Sequence, residues 1–166
     1  MDFQASERSQ TLGRQLQDFI DAHVLPRHAQ WLQETRQAPP PASFMPDLKA
    51  LAREEGLWNL FLPAESGLSN LDYAPLAEIM GRLPWASEVF NCNAPDTGNM
   101  ELLHLFGSSA QQQQWLHPLL AGEIRSAFAM TEPDVASSDA RNIQTLIRRE
   151  GDQYVVNGRK WFITNG

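Results

Sequence analysis

The spacing of apolar residues in this chain changes once along its length, and that change limits the fold more than any single motif. Up to about Glu123 apolar side chains recur every three or four residues, the repeat of a helix with one buried face. Beyond it they alternate residue by residue, the repeat of a strand. From Ser9 to Val24, Leu12, Leu16, Phe19, Ile20 and Val24 fall on one stripe of an amphipathic helix. Pro26 breaks or kinks it, and Trp31 and Leu32 mark a resumption before the loop from Gln37 to Ser43. A second helix is expected over about Phe44–Glu55, with Pro46 in its first turn and Gly56 as its stop. Leu57, Trp58, Leu60, Phe61 and Leu62 then read as a buried connector ending at Pro63.

A third helix is expected over Leu71–Arg82, capped by Asn70 or Asp72. A short buried helix follows over Met100–Phe106, ended by Gly107. Ser109 and Gln112 have the spacing of a capping box, ahead of Trp115, Leu116, Leu119 and Leu120, with Gly122 just beyond. In the alternating region Ile143, Thr145 and Ile147 share one face, EGDQ offers a turn, and Tyr154-Val155-Val156 runs into Asn157-Gly158, a tight-hairpin signal. Trp161-Phe162-Ile163 reads as a further strand, which would send Trp161 and Phe162 to opposite faces and Trp161 to the core. The expectation is an α+β arrangement, all-α over 1–125 and antiparallel β over 126–166. A last strand with no partner implies a sheet cut short at Gly166.

Composition narrows the function classes. Thirteen Lys and Arg against 20 Asp and Glu give a net charge of −7 and a pI near 5.0, the wrong sign for binding nucleic acid or an anionic lipid surface. No stretch reaches the roughly 20 apolar residues of a membrane span. The single cysteine, Cys92, cannot form an internal disulfide, and MDFQASERSQ lacks the pattern of a signal peptide, so a cytoplasmic setting is expected. Cys92 has no readable activating base and reads as a buried, inert thiol. His23, His28, His104 and His117 show no metal-ligand spacing, and no metal is expected. G-x-G-x-x-G and P-loop motifs are absent.

The segment most suggestive of chemistry is FAMTEPDVASSD, Phe128 to Asp139, where an apolar stretch opens into hydroxyls, carboxylates and a proline-fixed turn. Small hydroxyls and backbone N–H groups in a turn can approach a flat polar ligand or a phosphate. On residue types alone a helix-to-sheet connector explains the segment better, with Thr131, Ser137, Ser138 and Asp139 satisfying local backbone groups.

TEPDVASSD, followed by Asn157-Gly158-Arg159-Lys160 and by Phe162-Ile163-Thr164-Asn165-Gly166, resembles the middle-domain signature of acyl-CoA dehydrogenases. The resemblance continues upstream through Gly56-Leu57-Trp58, AEIMGRLPWASEVFNCNAPDTGNMELLHLFGS, Trp115-Leu116 and Gly122-Glu123. TEPDVASSD in place of the commoner TEP-x-x-GSD, together with NAPDTGNME, is similar to the subgroup of family members ten and eleven.

The resemblance implies a subunit of three parts: an N-terminal helical domain, a middle β domain and a C-terminal helical bundle, with FAD bound and homo-oligomers formed at full length. Residues 1–125 would be the first part and 126–166 the opening strands of the second, the bundle being absent. The implied reaction oxidises an acyl-CoA thioester to trans-2-enoyl-CoA with hydride transfer to flavin, electrons leaving to electron-transfer flavoprotein or another acceptor. The cofactor-binding residues it implies are Phe128, Met130, Thr131, Ser137, Ser138, Phe162, Ile163 and Thr164. Ser138 would also touch the pantetheine arm of the substrate. Phe162 stands where the family commonly has a Trp, which keeps stacking area and removes an N–H donor. The catalytic carboxylate belongs to the bundle in this family, so none is assigned here; Glu132 is given a turn or ion-pair role. These residues alone are expected to be inactive. The rival reading is a non-enzymatic helical interaction module derived from the family.

Overall fold

The computed structural model describes residues 4–38 and 41–166, so Pro39 and Pro40 of the expected loop and the first three residues of the N-terminus lie outside the described residues. The chain divides into two compact units, one up to Thr97 and one from Gly98.

In the first unit α1 (Glu7–Phe19) starts at Ser6, whose hydroxyl accepts the Ser9 N–H. It runs on into one wide π turn, Ile20–Val24, and then a tight 3-10 turn, Leu25–Arg27, before α2 (His28–Thr35). Pro26 therefore does not stop the helix. Its missing N–H and its clash with the carbonyl four residues back, at Ala22, are absorbed by the wide turn containing Ala22. Leu16, Phe19, Ile20 and Val24 are buried as the spacing requires, and the Phe19 ring meets Phe90 edge-on at 5.3 Å.

α3 (Met45–Glu54) carries Pro46 in its first turn, and the chain leaves it through Gly56 at φ 70°. The connector that follows is buried at Leu57, Leu60 and Leu62, ahead of the single turn α4 (Pro63–Ser66). α5 (Asn70–Met80) is capped by Ser69, not by Asn70 or Asp72: Ser69 and Asp72 form a reciprocal capping box. Hydrogen bonds from Ser69 and Ser6, the Ser69 side chain foremost, hold the Asp72 carboxyl down at about 2. α5 lies along α1, where the Ser9 hydroxyl donates to Asp72 O at 2.6 Å and Leu76 is fully buried. A short α6 (Ala86–Val89) completes this core, with Trp85 stacked 5.9 Å from Trp31.

α7 (Asp96–Phe106) crosses the division at Thr97. In the second unit α8 (Ser109–Gln111) begins at Ser108, which pairs with Gln111 as the capping box, one residue earlier than Ser109 with Gln112. Gln112 instead sends its amide back to Leu103 O and His104 O at the end of α7. A second π turn, Gln112–Leu116, precedes Pro118, and α9 (His117–Leu120) follows. Both π turns thus end two residues before a proline.

Two strands are present among the described residues, β1 (Leu146–Glu150) and β2 (Gln153–Asn157), paired antiparallel with Leu146 opposite Asn157 and Glu150 opposite Gln153. The hairpin turn is Gly151-Asp152, with Gly151 at φ 64°, so EGDQ makes the turn and Asn157-Gly158 does not. Both faces of the hairpin are exposed. Trp161-Phe162-Ile163 is not a strand: Phe162 sits at φ 49°, which breaks the extended run. No described helix is long and apolar enough to cross a membrane.

Candidate functional site

The segment TEPDVASSD folds around one carboxylate. Glu132 is 6% exposed, and its side chain accepts four hydrogen bonds. Gln144 N–H reaches Oε2 at 2.8 Å, while Thr145 N–H (2.9 Å), Thr145 Oγ1 (2.5 Å) and Lys160 Nζ (2.9 Å) converge on Oε1. The Thr145 hydroxyl, the Gln144 N–H and the Lys160 ammonium together hold the carboxyl down at about 2, against an ordinary 4.5. The ion pair expected for Glu132 is therefore present, with Lys160 as the partner.

Around it the turn satisfies itself locally. The Glu132 N–H donates to the buried Ser137 hydroxyl at 2.8 Å, Ser137 N–H to Val135 O, and Asp139 N–H to Ala136 O. Asp139 caps the short helical turn Ala140–Asn142 and forms an exposed ion pair with Arg141, which lowers the Asp139 pKa and raises that of Arg141. Ser137 and Asp139 thus carry out the connector role, and Ser138 is left exposed between them.

Two irregular segments are tied together here. The Lys160 ammonium donates to Met130 O at 2.9 Å, Trp161 N–H to Thr131 O at 3.1 Å, and the Asn165 side-chain amide to Ser126 O at 3.1 Å. Phe128, Met130 and Thr131 are thereby set beside the stretch holding Phe162, Ile163 and Thr164. Phe128 is 61% and Phe162 84% exposed; Thr131 and Thr164 are exposed too, while Met130 and Ile163 are half-buried. Because Phe162 is left-handed, its ring lies 4.7 Å from that of Trp161 instead of on the opposite face, and Trp161 is 42% exposed, not core.

Sequence reasoning missed Asn99, Thr145, Gly158 and Lys160. The Asn99 amide, on α7, donates to Ser126 Oγ at 2.8 Å and Ala127 O at 3.3 Å, tying the start of the segment to the helix. A cleft of about 520 Å³ opens beside that tie, lined by Leu102, Leu103, Trp115, Leu119 and Ile124. A Cβ on Gly158 would run into the Thr145 side chain, so this glycine is required by close approach. The NAPDTGNME context of Asn99 and the Asn157-Gly158 context of Gly158 were visible; the contacts, made with residues far off in sequence, were not.

The donor set suits a flavin. Two aromatic rings are open to a flat apolar partner, and three exposed hydroxyls, Thr131, Ser138 and Thr164, can bond its polar edge. Elsewhere chemistry is quiet: Cys92 is buried with its thiol pushed up to about 11 by burial, and the described residues hold no metal-binding cluster.

Comparison with known proteins shows the family. The family "Acyl-CoA dehydrogenase, N-terminal domain" matches residues 6–123 and "Acyl-CoA dehydrogenase, middle domain" residues 127–166. "Probable acyl-CoA dehydrogenase FadE2" of Mycobacterium tuberculosis is 54% identical over 167 residues, covering 98% of this chain and 41% of that protein. "Acyl-CoA dehydrogenase family member 11" of Gallus gallus is 50% identical, covering 96% of this chain and 21% of its own length. A putative acyl-CoA dehydrogenase structure from Mycobacterium abscessus superposes with TM-score 0.89 at 51% identity, over 97% of this chain and 43% of that one. An acyl-CoA dehydrogenase from Bacillus anthracis, complexed with FAD, gives TM-score 0.68 at 30% identity over 96% and 27%. The chain belongs to the acyl-CoA dehydrogenase family of flavin-dependent oxidoreductases. It spans about two fifths or less of these relatives.

Proposed function

We propose that this chain forms the N-terminal helical domain, residues 1–125, and the opening of the middle domain, 126–166, of an FAD-dependent acyl-CoA dehydrogenase. The full-length enzyme oxidises an acyl-CoA thioester to trans-2-enoyl-CoA, works as a homo-oligomer in the cytoplasm, and passes electrons to electron-transfer flavoprotein or another acceptor. The observation that supports this reading is that Lys160, Trp161 and Asn165 tie the segment holding Phe162 and Thr164 to the one holding Phe128 and Thr131, with all four side chains exposed.

When bound, FAD would supply the hydride acceptor. Phe128 and Phe162 offer apolar area to its ring system, with Met130 and Ile163 lining the same surface, and Thr131 bonds the pyrimidine side. Thr164 offers its hydroxyl toward N5, where a donor that tightens as charge develops favours the transition state. Ser138 would meet both cofactor and the pantetheine arm, and Ser137 would support it from inside the turn. None of these side chains is a proton-abstracting base: Glu132, the buried carboxylate nearest them, is held ionised by donors that occupy both its oxygens. The base is assigned to a helical bundle outside these residues, so the 166 residues alone are inactive.

Incubation of the full-length protein with saturated acyl-CoA thioesters and an artificial electron acceptor tests the reading. Mass spectrometry should find the thioester short of one pair of hydrogens. A full-length protein that takes up no FAD and leaves every thioester unchanged would instead support the interaction-module reading.

A further inference from the structure

In the flavin reading, Phe128, Thr131, Phe162 and Thr164 sit on two irregular segments, neither of them a strand among the described residues, and hydride transfer demands that such groups be held closely. The tolerance is tight, since a misplacement of about 1 Å costs about 10²-fold in rate.

Three consecutive residues of the signature are anchored. Met130 O takes the Lys160 ammonium at 2.9 Å, Thr131 O takes the Trp161 N–H at 3.1 Å, and Glu132 N–H gives to Ser137 Oγ at 2.8 Å. Thr131 is thus fixed through its own carbonyl and through both neighbours. The facing segment is fixed at each end, by Lys160 and Trp161 before Phe162 and by Asn165 after Thr164.

Lys160 is the residue common to these ties, because its one ammonium holds a signature carbonyl and the Glu132 carboxylate together. Glu132 in turn gathers Gln144 and Thr145, just ahead of β1, onto the same point. The pair is largely out of water, with the Glu132 side chain 5% and the Lys160 side chain 20% exposed. Removing one partner of such a pair leaves the other buried without its counter-charge, so the arrangement is either whole or strongly perturbed. Phe162 is left-handed two residues beyond Lys160, a conformation that persists only where neighbouring contacts enforce it.

We infer that Glu132 and Lys160 are positioning residues for the flavin, a carboxylate–ammonium clamp that sets Thr131 on one segment and Phe162 to Thr164 on the other at a fixed separation. The inference rests on the flavin reading above and assigns these two residues no contact with substrate or cofactor.

The test uses the full-length protein reconstituted with saturating FAD, comparing wild type with Glu132→Gln, Lys160→Met and Lys160→Arg. The readouts are the visible spectrum and reduction potential of bound flavin, the FAD dissociation rate, and the rate of flavin reduction by an acyl-CoA. Glu132→Gln and Lys160→Met should shift the spectrum and potential, release FAD about tenfold faster or more, and slow reduction by about 10²-fold. Lys160→Arg keeps the cation and should restore most of each property, which general destabilisation would not allow. Should Glu132→Gln fail to fold, Lys160→Met and Thr145→Val, each removing one donor to the same carboxylate, carry the same expectation. Wild-type spectrum, potential and rates in the neutral variants overturn the clamp while leaving the flavin reading intact. A wild-type protein that binds no FAD overturns both.

Discussion

At Thr164 a single hydroxyl separates a flavin role from a packing role. The residue is exposed, one position before the Asn165 that pins its segment to Ser126. Thr164→Val removes the hydroxyl at nearly constant volume and keeps a good β-branched residue. In the full-length protein its stability should hold while the reductive rate constant falls more than acyl-CoA affinity, by roughly the tenfold or more that one transition-state hydrogen bond carries. Stopped-flow flavin bleaching reads the difference, and equal rates would remove Thr164 from the site. Glu132 gives a prediction in pH. Its carboxyl ionises near 2 in the fold against an ordinary 4.5, so its contribution to stability is complete above 4.5 and fades as pH falls from 4.5 toward 2. Asp72, held near 2 against 3.8, acts in the same sense over a narrower window. Urea midpoints should therefore drop through this window in wild type and drop less steeply in Glu132→Gln; parallel profiles would count against the Glu132 assignment. The residues that carry this behaviour lay beyond local reading, since Glu132 meets partners 12, 13 and 28 positions away. An acidic residue before a proline reveals nothing of that.

Among elements, helices were legible where one face is apolar and a glycine follows, but the helix before Gly107 begins at Asp96, not Met100, and is not buried: Leu102, Leu105 and Phe106 are exposed. Leu16, Phe19, Ile20 and Val24 of the stripe are buried, α1 packs on α5, and Gly56 turns left-handed after α3. Caps were harder. SSAQQQQ offers two serines, each with a glutamine three residues on, and the choice of Ser108 frees Gln112 to close the end of α7, a contact outside the local pattern. The hairpin was misplaced for a related reason. Asn157-Gly158 has strong turn chemistry, yet Gly158 is needed because Thr145 packs against it, and Gly151 supplies the left-handed turn. The α1–α5 pair gives the clearest energetic test. Ser69→Ala removes the hydroxyl half of the α5 capping box and should cost about 1 kcal/mol. Leu76→Ala opens a cavity at a fully buried position and should cost about 2–5 kcal/mol. Denaturant unfolding measures both. Equal losses would mean that α5 is held by its cap and not by packing.

For the whole molecule, the proposed site lies in the second unit, from Phe128 to Thr164, while the first unit contributes a helical core with no metal-binding cluster among its described residues. Family membership was readable from TEPDVASSD and NAPDTGNME before any geometry, and the structure adds the means by which two irregular segments hold a common surface. The chain covers 41% of the mycobacterial relative and 21% of the avian one. The central claim is that this surface holds a flavin that acyl-CoA reduces. Anaerobic titration of the full-length, FAD-loaded protein with acyl-CoA thioesters of graded chain length, followed by the absorbance of oxidised flavin, tests it directly. The account predicts stoichiometric bleaching by at least one thioester, slowed in Thr164→Val. Flavin that stays oxidised with every thioester, or a protein that retains no flavin, would contradict it.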